Sequence, residues 1–291
     1  MWTIISIELF KIFRKPRTYI AFAAVTIIVG LIQLGFLVDG ETYLQFGMQA
    51  LSESFEVDGK VLNGYLMAYL ILQTLLIHVP LLIALVAGDM VSGEANMGTL
   101  RLLLTKPVSR TELMAGKFIA SCIYTILLLI WMAIWALGVS LLIFGADDMI
   151  IMKSEVVTQV VRNDVLWRYV AAFGFASLAM VTVAALAFLL SVFAENSIGP
   201  IITCMSIVIV FTILNTLNLP FFNTIKPFLF TSHMLGWKGF FDVRLNEAHE
   251  QIVGSIENPA AILRSASILA LHTLIFFGAA VYFFRRKDVL S

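Results

Sequence analysis

Residue types able to do chemistry are sparse in this 291-residue chain, and they do not gather. There are four histidines, His78, His233, His249 and His272. His78 and His272 fall in long apolar runs, where a polar side chain in lipid raises a functional suspicion such as a haem ligand or a proton relay. Haem bundles need paired histidines and each run holds one, so a satisfied interhelical hydrogen bond is the plainer reading. His233 and His249, with Glu247 and Glu250, are metal-ligand types, yet Glu247-Ala-His-Glu250 reads as well as a solvated helix face. Ser177, in Gly174-Phe-Ala-Ser-Leu, lacks the glycine frame of a nucleophile elbow, and no paired aspartates lie in apolar runs, which argues against an intramembrane protease. Cys122 and Cys204 sit apart in apolar runs and read as buried thiols. Gly93-x-x-x-x-Gly98-Thr99 resembles a phosphate loop only in outline: it lacks the lysine and follows an apolar run rather than a strand. No catalytic residue, metal or cofactor is expected, and ATP hydrolysis would have to come from another polypeptide.

The remaining polar punctuation is concentrated in Asp89–Lys117. That stretch carries Arg101, Lys106, Arg110 and Lys117 against Asp89, Glu94 and Glu112, around an apolar patch of Leu100, Leu102, Leu103 and Leu104. Gly93 and Gly98 break it, and Gly98-Thr99 starts a short helix over Leu100–Thr105 that Lys106-Pro107 stops. Ser109-Arg-Thr-Glu112 is a capping box that fixes the start of the next helix. A short crossing helix leading into a capped one suits docking on another protein and passing a push to the spans on either side.

The chain is 60% hydrophobic and only 13% charged, with mean hydropathy +0.95. Soluble domains carry about 25% charge, so the chain reads as an integral membrane protein. Formal net charge is zero, which implies no nucleic-acid partner. Residues 1–17 read as an amphipathic helix in the interface plane, with Ile4, Ile5, Leu9, Ile12 and Phe13 on one side and Glu8, Lys11, Arg14, Lys15 and Arg17 on the other. Six apolar runs follow, at residues 18–38, 66–87, 118–144, 168–193, 198–217 and 263–284. Runs this long in lipid are helices, so the expected fold is all-α and polytopic, a single transmembrane domain over 1–291. The fourth run is rich in Ala, Gly and Ser and should pack closely against a neighbour. The segment 218–262 is too aromatic for a solvated loop and too broken for a span; it is expected to be external and re-entrant-like, the alternative being a loop folded onto the other external segments.

With the N-terminus inside, the inner segments hold eleven of the nineteen basic residues and six of the nineteen acids. The bias obeys the positive-inside rule and puts both termini in the cytoplasm. The spans carry no charge away from their ends; a midplane charge costs roughly 2.5–3.5 kcal/mol and is kept for function, so its lack argues against an ion-coupled carrier.

The run Ser92-Gly93-Glu94-x-x-x-Gly98-Thr99-Leu100-x-Leu102-Leu103-Leu104-x-x-Pro107-Val108-Ser109-Arg110-x-Glu112-Leu113-x-x-Gly116-Lys117 closely resembles the signature of ABC-2 type transporter permeases. The layout is similar too, and looks most like the branch described as multi-copper enzyme maturation permeases and related sodium, lantibiotic or gliding-associated exporters. The resemblance implies a cytoplasmic coupling helix between spans two and three, seated in a cleft of a separate ABC ATPase. The coupling positions would be Glu94, Gly98, Thr99, Leu100, Arg101, Leu104, Pro107, Ser109 and Arg110. It also implies two ATPase copies, a second permease subunit (identical or related), export, and residence in the inner membrane. An ATP-independent secondary transporter or channel, or a non-transporting scaffold, remains the alternative.

Overall fold

In a computed structural model, the described residues are 1–52, 61–100, 107–152, 157–217, 220–244, 246 and 251–287. Helix α1 spans Trp2–Arg14 and α2 Pro16–Ser52. Helix α3 covers Gly64–Ala87 and α4 is the short Ser92–Asn96. Helix α5 starts at Arg110 and reaches Phe144, with a π-helical stretch at Ile134–Val139. A two-stranded antiparallel hairpin follows, β1 Met149–Met152 and β2 Val157–Val160. Then come α6 Arg162–Phe193, α7 Ile198–Thr216, α8 Pro220–Ile225, α9 Phe230–His233 and α10 Pro259–Arg286, with 3-10 turns at Lys226–Phe228 and Met234–Phe241. Six helices (α2, α3, α5, α6, α7 and α10) are long and apolar enough to cross a membrane. The chain is an all-α multi-pass membrane protein.

Helix ends run past the expected apolar runs. The third span begins at Arg110, the fourth at Arg162, and the first continues to Ser52. Hydropathy sees only the lipid-facing part of a helix, whereas capping sets where it starts. Ser109 accepts from Glu112 N at 3.2 Å while Glu112 Oε2 accepts from Ser109 N at 3.2 Å, the expected reciprocal cap. Alanine-rich α6 is the most enclosed of the six and packs against α10, α3 and α5. Small side chains let three neighbours approach it at once.

The hairpin lies between the third and fourth spans, where apolar and charged residues interleave. Its β-branched residues alternate over too few positions to declare a strand, but Met149, Ile151 and Val160 are buried against the bundle. The aromatic segment divides in two. Phe230, Trp237 and Phe241 are buried, with Tyr69 and Tyr169 ring centroids 5.4 and 4.9 Å from Phe241. Phe221 and Phe228 are exposed.

Inside the bundle, Gln33 of α2 donates to Trp135 O and Ser140 Oγ, both at 2.9 Å. The π-helical turn frees a carbonyl there, and the buried amide answers it. The two histidines in spans bond within their own helices rather than between helices. His78 Nδ1 lies 2.9 Å from Thr74 O and His272 Nδ1 2.9 Å from Ile268 O. The i−4 carbonyl lies within reach of the ring along the same helix face, so no neighbouring helix is needed.

Candidate functional site

Helix α1 was expected to turn its charges to water. Instead Glu8 is buried, while Trp2, Ile7 and Phe10 are exposed on the outer side. Helix α1 lies along the start of α5 because Gly116 has no side chain: a Cβ there would meet Ile4 Cγ2 at 2.5 Å. That approach brings Glu8 over Lys117, a lysine only 1% exposed. A charge so enclosed needs close partners.

The partners form a closed ring of four. Lys11 Nζ is 2.8 Å from Glu8 Oε1 and 2.8 Å from Glu94 Oε1. Lys117 Nζ is 3.0 Å from Glu8 Oε2 and 2.7 Å from Glu94 Oε2. Each carboxylate oxygen thus has one ammonium, the last contact being an ion pair without hydrogen-bond alignment. Two negative and two positive charges alternate, so the ring is neutral and each member holds its neighbours against desolvation. Burial alone would lower Lys11, but its hydrogen bonds to Glu8 and Glu94 outweigh that and raise it.

One turn earlier, Asp89 collects a second set. Lys15 Nζ lies 2.6 Å from Asp89 Oδ2, Arg17 pairs with the same oxygen, and Ser197 Oγ donates to the other. Gly93 is needed there, because a Cβ would run into the Asp89 carboxylate. Burial, then the adjacent Arg17 charge, pushes Lys15 down to about 8.

Helix α4 is fixed at both ends. Ser191 Oγ of α6 accepts from Val91 N at 3.1 Å and Ser92 N at 2.9 Å. At the other end Gly98 adopts φ +68, a left-handed turn that releases the chain into Thr99 and Leu100. Thr99 Oγ1 donates to Glu94 O at 3.3 Å, and Leu100 is buried. Arg101, Leu104 and the rest of the expected short helix over Leu100–Thr105 lie outside the described residues, apart from Leu100. Pro107 and Ser109 are exposed. Arg110 Nη1 donates to Phe284 O, Arg285 O and Lys287 O at 3.3, 3.0 and 2.9 Å, closing the C-terminal end of α10 with a cation. Lys287 Nζ then donates to Val192 O of α6 at 2.8 Å.

The expected residues therefore separate. Glu94 and Arg110 fasten elements together within the chain, Thr99 is half-buried, and Pro107 and Ser109 stand at the surface. Sequence reasoning misses the ring because it puts Glu8 and Lys11 on the polar side of an interfacial helix and Lys117 in the separate stretch Asp89–Lys117. Glu8 and Lys11 at i,i+3 spacing, opposite a lysine two helical turns inside a capped start, was the available signal.

Among the described residues the other candidate chemistry does not assemble. His233 bonds Ser265 Oγ at 3.1 Å and Pro227 O at 3.0 Å, which occupies both ring nitrogens. Ser177 Oγ donates to Phe173 O at 2.8 Å. Glu247, His249 and Glu250 lie outside the described residues, and among the described residues no group of three His, Cys, Asp or Glu could hold a metal ion.

Comparison with known proteins agrees with this layout. The chain is 26% identical over 116 residues to an uncharacterized protein, YhcI, of Bacillus subtilis, covering 39% of this chain and 37% of that one. It is 39% identical over 69 residues to the probable ABC transporter permease protein NosY of Stutzerimonas stutzeri, covering 23% of this chain and 25% of that one. The family described as ABC-2 family transporter protein matches residues 2–289. The chain belongs to the ABC-2 transporter family, as a multi-pass membrane permease.

Proposed function

We propose that this chain is one permease subunit of an exporter whose energy comes from a separate ABC ATPase, gripped at residues 94–110 on the cytoplasmic face. The observation that carries this reading is the Glu8–Lys11–Glu94–Lys117 ring. It joins α4 to α1 and to the start of α5, so a push on the surface at Met97, Thr99 or Pro107 reaches the third span through charged contacts too costly to separate. Arg110 carries the same push to α10. The spans then move as bodies, as alternating access requires.

A second permease subunit, identical or related, faces this one. Its support is an exposed polar stripe midway along α3, Gln73, Thr74 and His78, on an otherwise apolar span. Polar groups at that depth call for protein or water rather than acyl chains. With two ATPase copies the assembly has four subunits, and both termini of this chain lie on the ATPase side, in the inner membrane.

The test is ATP-dependent flux in proteoliposomes with the co-purified ATPase. Met97→Ala, Thr99→Ala and Arg101→Ala are expected to leave ATPase activity and folding intact while lowering flux per ATP. Normal flux in all three would overturn the coupling assignment. Gln73→Cys, with Cys122 and Cys204 replaced by Ala, is expected to cross-link two copies if the dimer is homomeric. A cross-link only to a related chain would make it heteromeric, and none to either would remove the second subunit from that face.

A further inference from the structure

Between α1, the end of α3 and α4 lies a cavity of about 510 Å³. Its apolar lining comes from Phe10, Ile12, Val86, Met90 and Met97. Its polar lining carries Lys11, Arg14, Lys15 and Arg17 above the carboxylates of Glu8, Asp89 and Glu94. The charges do not balance. The ring consumes Lys11 and Lys117 against Glu8 and Glu94, leaving Asp89 to face both Lys15 and Arg17. Arg14 is exposed and stacks over Phe10 at 5.6 Å. Two positive charges are left over beside an apolar cleft, at the membrane end of a helix whose outer side exposes Trp2, Ile7 and Phe10.

We propose that this cavity seats an anionic phospholipid of the leaflet next to α1, its phosphate held by Arg14, Lys15 and Arg17 and its acyl chains against Phe10, Val86 and Met90. A phosphodiester carries an always ionised charge that offsets one of the two surplus cations and hydrogen-bonds the other, and the exposed apolar side of α1 lies in the acyl region. A soluble phosphate would leave that apolar lining wet. Bound between α1 and α4, the lipid braces the same elements as the ring. The proposal rests on the membrane-spanning fold and not on the ATPase reading.

The experiment is native mass spectrometry of the purified chain, with thermal unfolding in nanodiscs of phosphatidylcholine alone or mixed with phosphatidylglycerol. Retained phosphatidylglycerol and a higher Tm in the mixed bilayer are expected. Each basic residue near such a surface contributes an attraction equivalent to about fivefold in binding, so Arg14→Gln and, separately, Lys15→Gln should each weaken retention about fivefold. Arg264→Gln, at the opposite end of the bundle, should not. Equal retention in wild type and both variants, or no preference over phosphatidylcholine, would overturn the proposal. Equal stabilisation by glycerol phosphate in solution would show a free anion site instead. Loss of ATPase co-purification with lipid retention unchanged would show that a protein partner fills the cleft.

Discussion

Among the described residues two buried charge clusters stand out, one at each end of the bundle (outer and inner in the proposed topology), and they are built on opposite plans. At the outer end one carboxylate meets one guanidinium. Arg168 Nη2 is 2.5 Å from Asp164 Oδ2, and the same arginine donates to Phe240 O and Ser255 O. Asp164 takes further hydrogen bonds from Trp167 Nε1, Gln251 Nε2 and Gly254 N. Both residues are almost fully enclosed, Arg168 at 0% and Asp164 at 2% exposure. Most of those partners are backbone groups of the outer segment, and they cannot leave without unfolding it. At the inner end the partners are long side chains from α1, α2, α4 and α5, several of them half-exposed, with a cleft alongside and cations to spare. The outer cluster is a rivet. The inner one is enclosed around Lys117, Glu8 and Glu94 but exchangeable on its solvent side at Lys11 and Lys15, which suits a place where force enters.

The largest effect is expected from Arg168→Ala. It strips a buried carboxylate of its cation and orphans two carbonyls, which should cost about 3–5 kcal/mol. Thermal unfolding would record it, and limited proteolysis should cut the segment between Asp242 and Asn258, which Arg168 anchors through Ser255. If the variant stays as stable as wild type, the outer cluster is no more a rivet than the inner one.

Next comes Lys117→Met against Lys11→Met. Lys117 is enclosed and serves both ring carboxylates, so its loss should cost about 3 kcal/mol, with Lys11 left to offset part of the charge. Lys11 has a side chain 36% exposed, and water can replace it, so about 1 kcal/mol or less is expected. Urea unfolding of both variants and of the double mutant would measure the coupling. A costlier Lys11→Met would mean that the ring is held from the solvent side, against the geometry.

The same contrast explains what the amino-acid sequence revealed. Hydropathy gave six helices because lipid demands long apolar runs, and the Ser109–Glu112 cap was legible because it is local. The family resemblance located Glu94 and Arg110 but not their work, since Lys117, Glu8 and the last carbonyls of α10 are distant in the chain. Helix α1 misled for a physical reason. Its amphipathic pattern gives two faces, but not which one meets lipid and which one the protein. Only Gly116, as a gap shaped for Ile4, hinted that the helix would lie on α5.

The smallest effect is a pH dependence, and it separates the two halves of the inner cluster. Lys15 falls from its ordinary 10.5 to about 8 on folding, chiefly through burial and then through Arg17. Between those values the unfolded chain binds more protons than the native one, so this residue makes stability rise with pH from about 8 to 10.5. Lys11 is raised instead, so its contribution is fully present below 10.5 and is lost only as pH climbs through a still higher native value. The measurement is Tm of wild type relative to Lys15→Met in phosphatidylcholine nanodiscs at pH 7.5 and pH 10. The difference should shift in favour of wild type at the higher pH, by a degree or so given a half-exposed side chain. In phosphatidylglycerol the shift should shrink, because a bound phosphate supplies the missing negative charge. A flat profile in both lipids would mean that Asp89 satisfies Lys15 and Arg17 together, which would make the inner cluster as saturated as the outer one and leave its cleft without a reason to bind an anion.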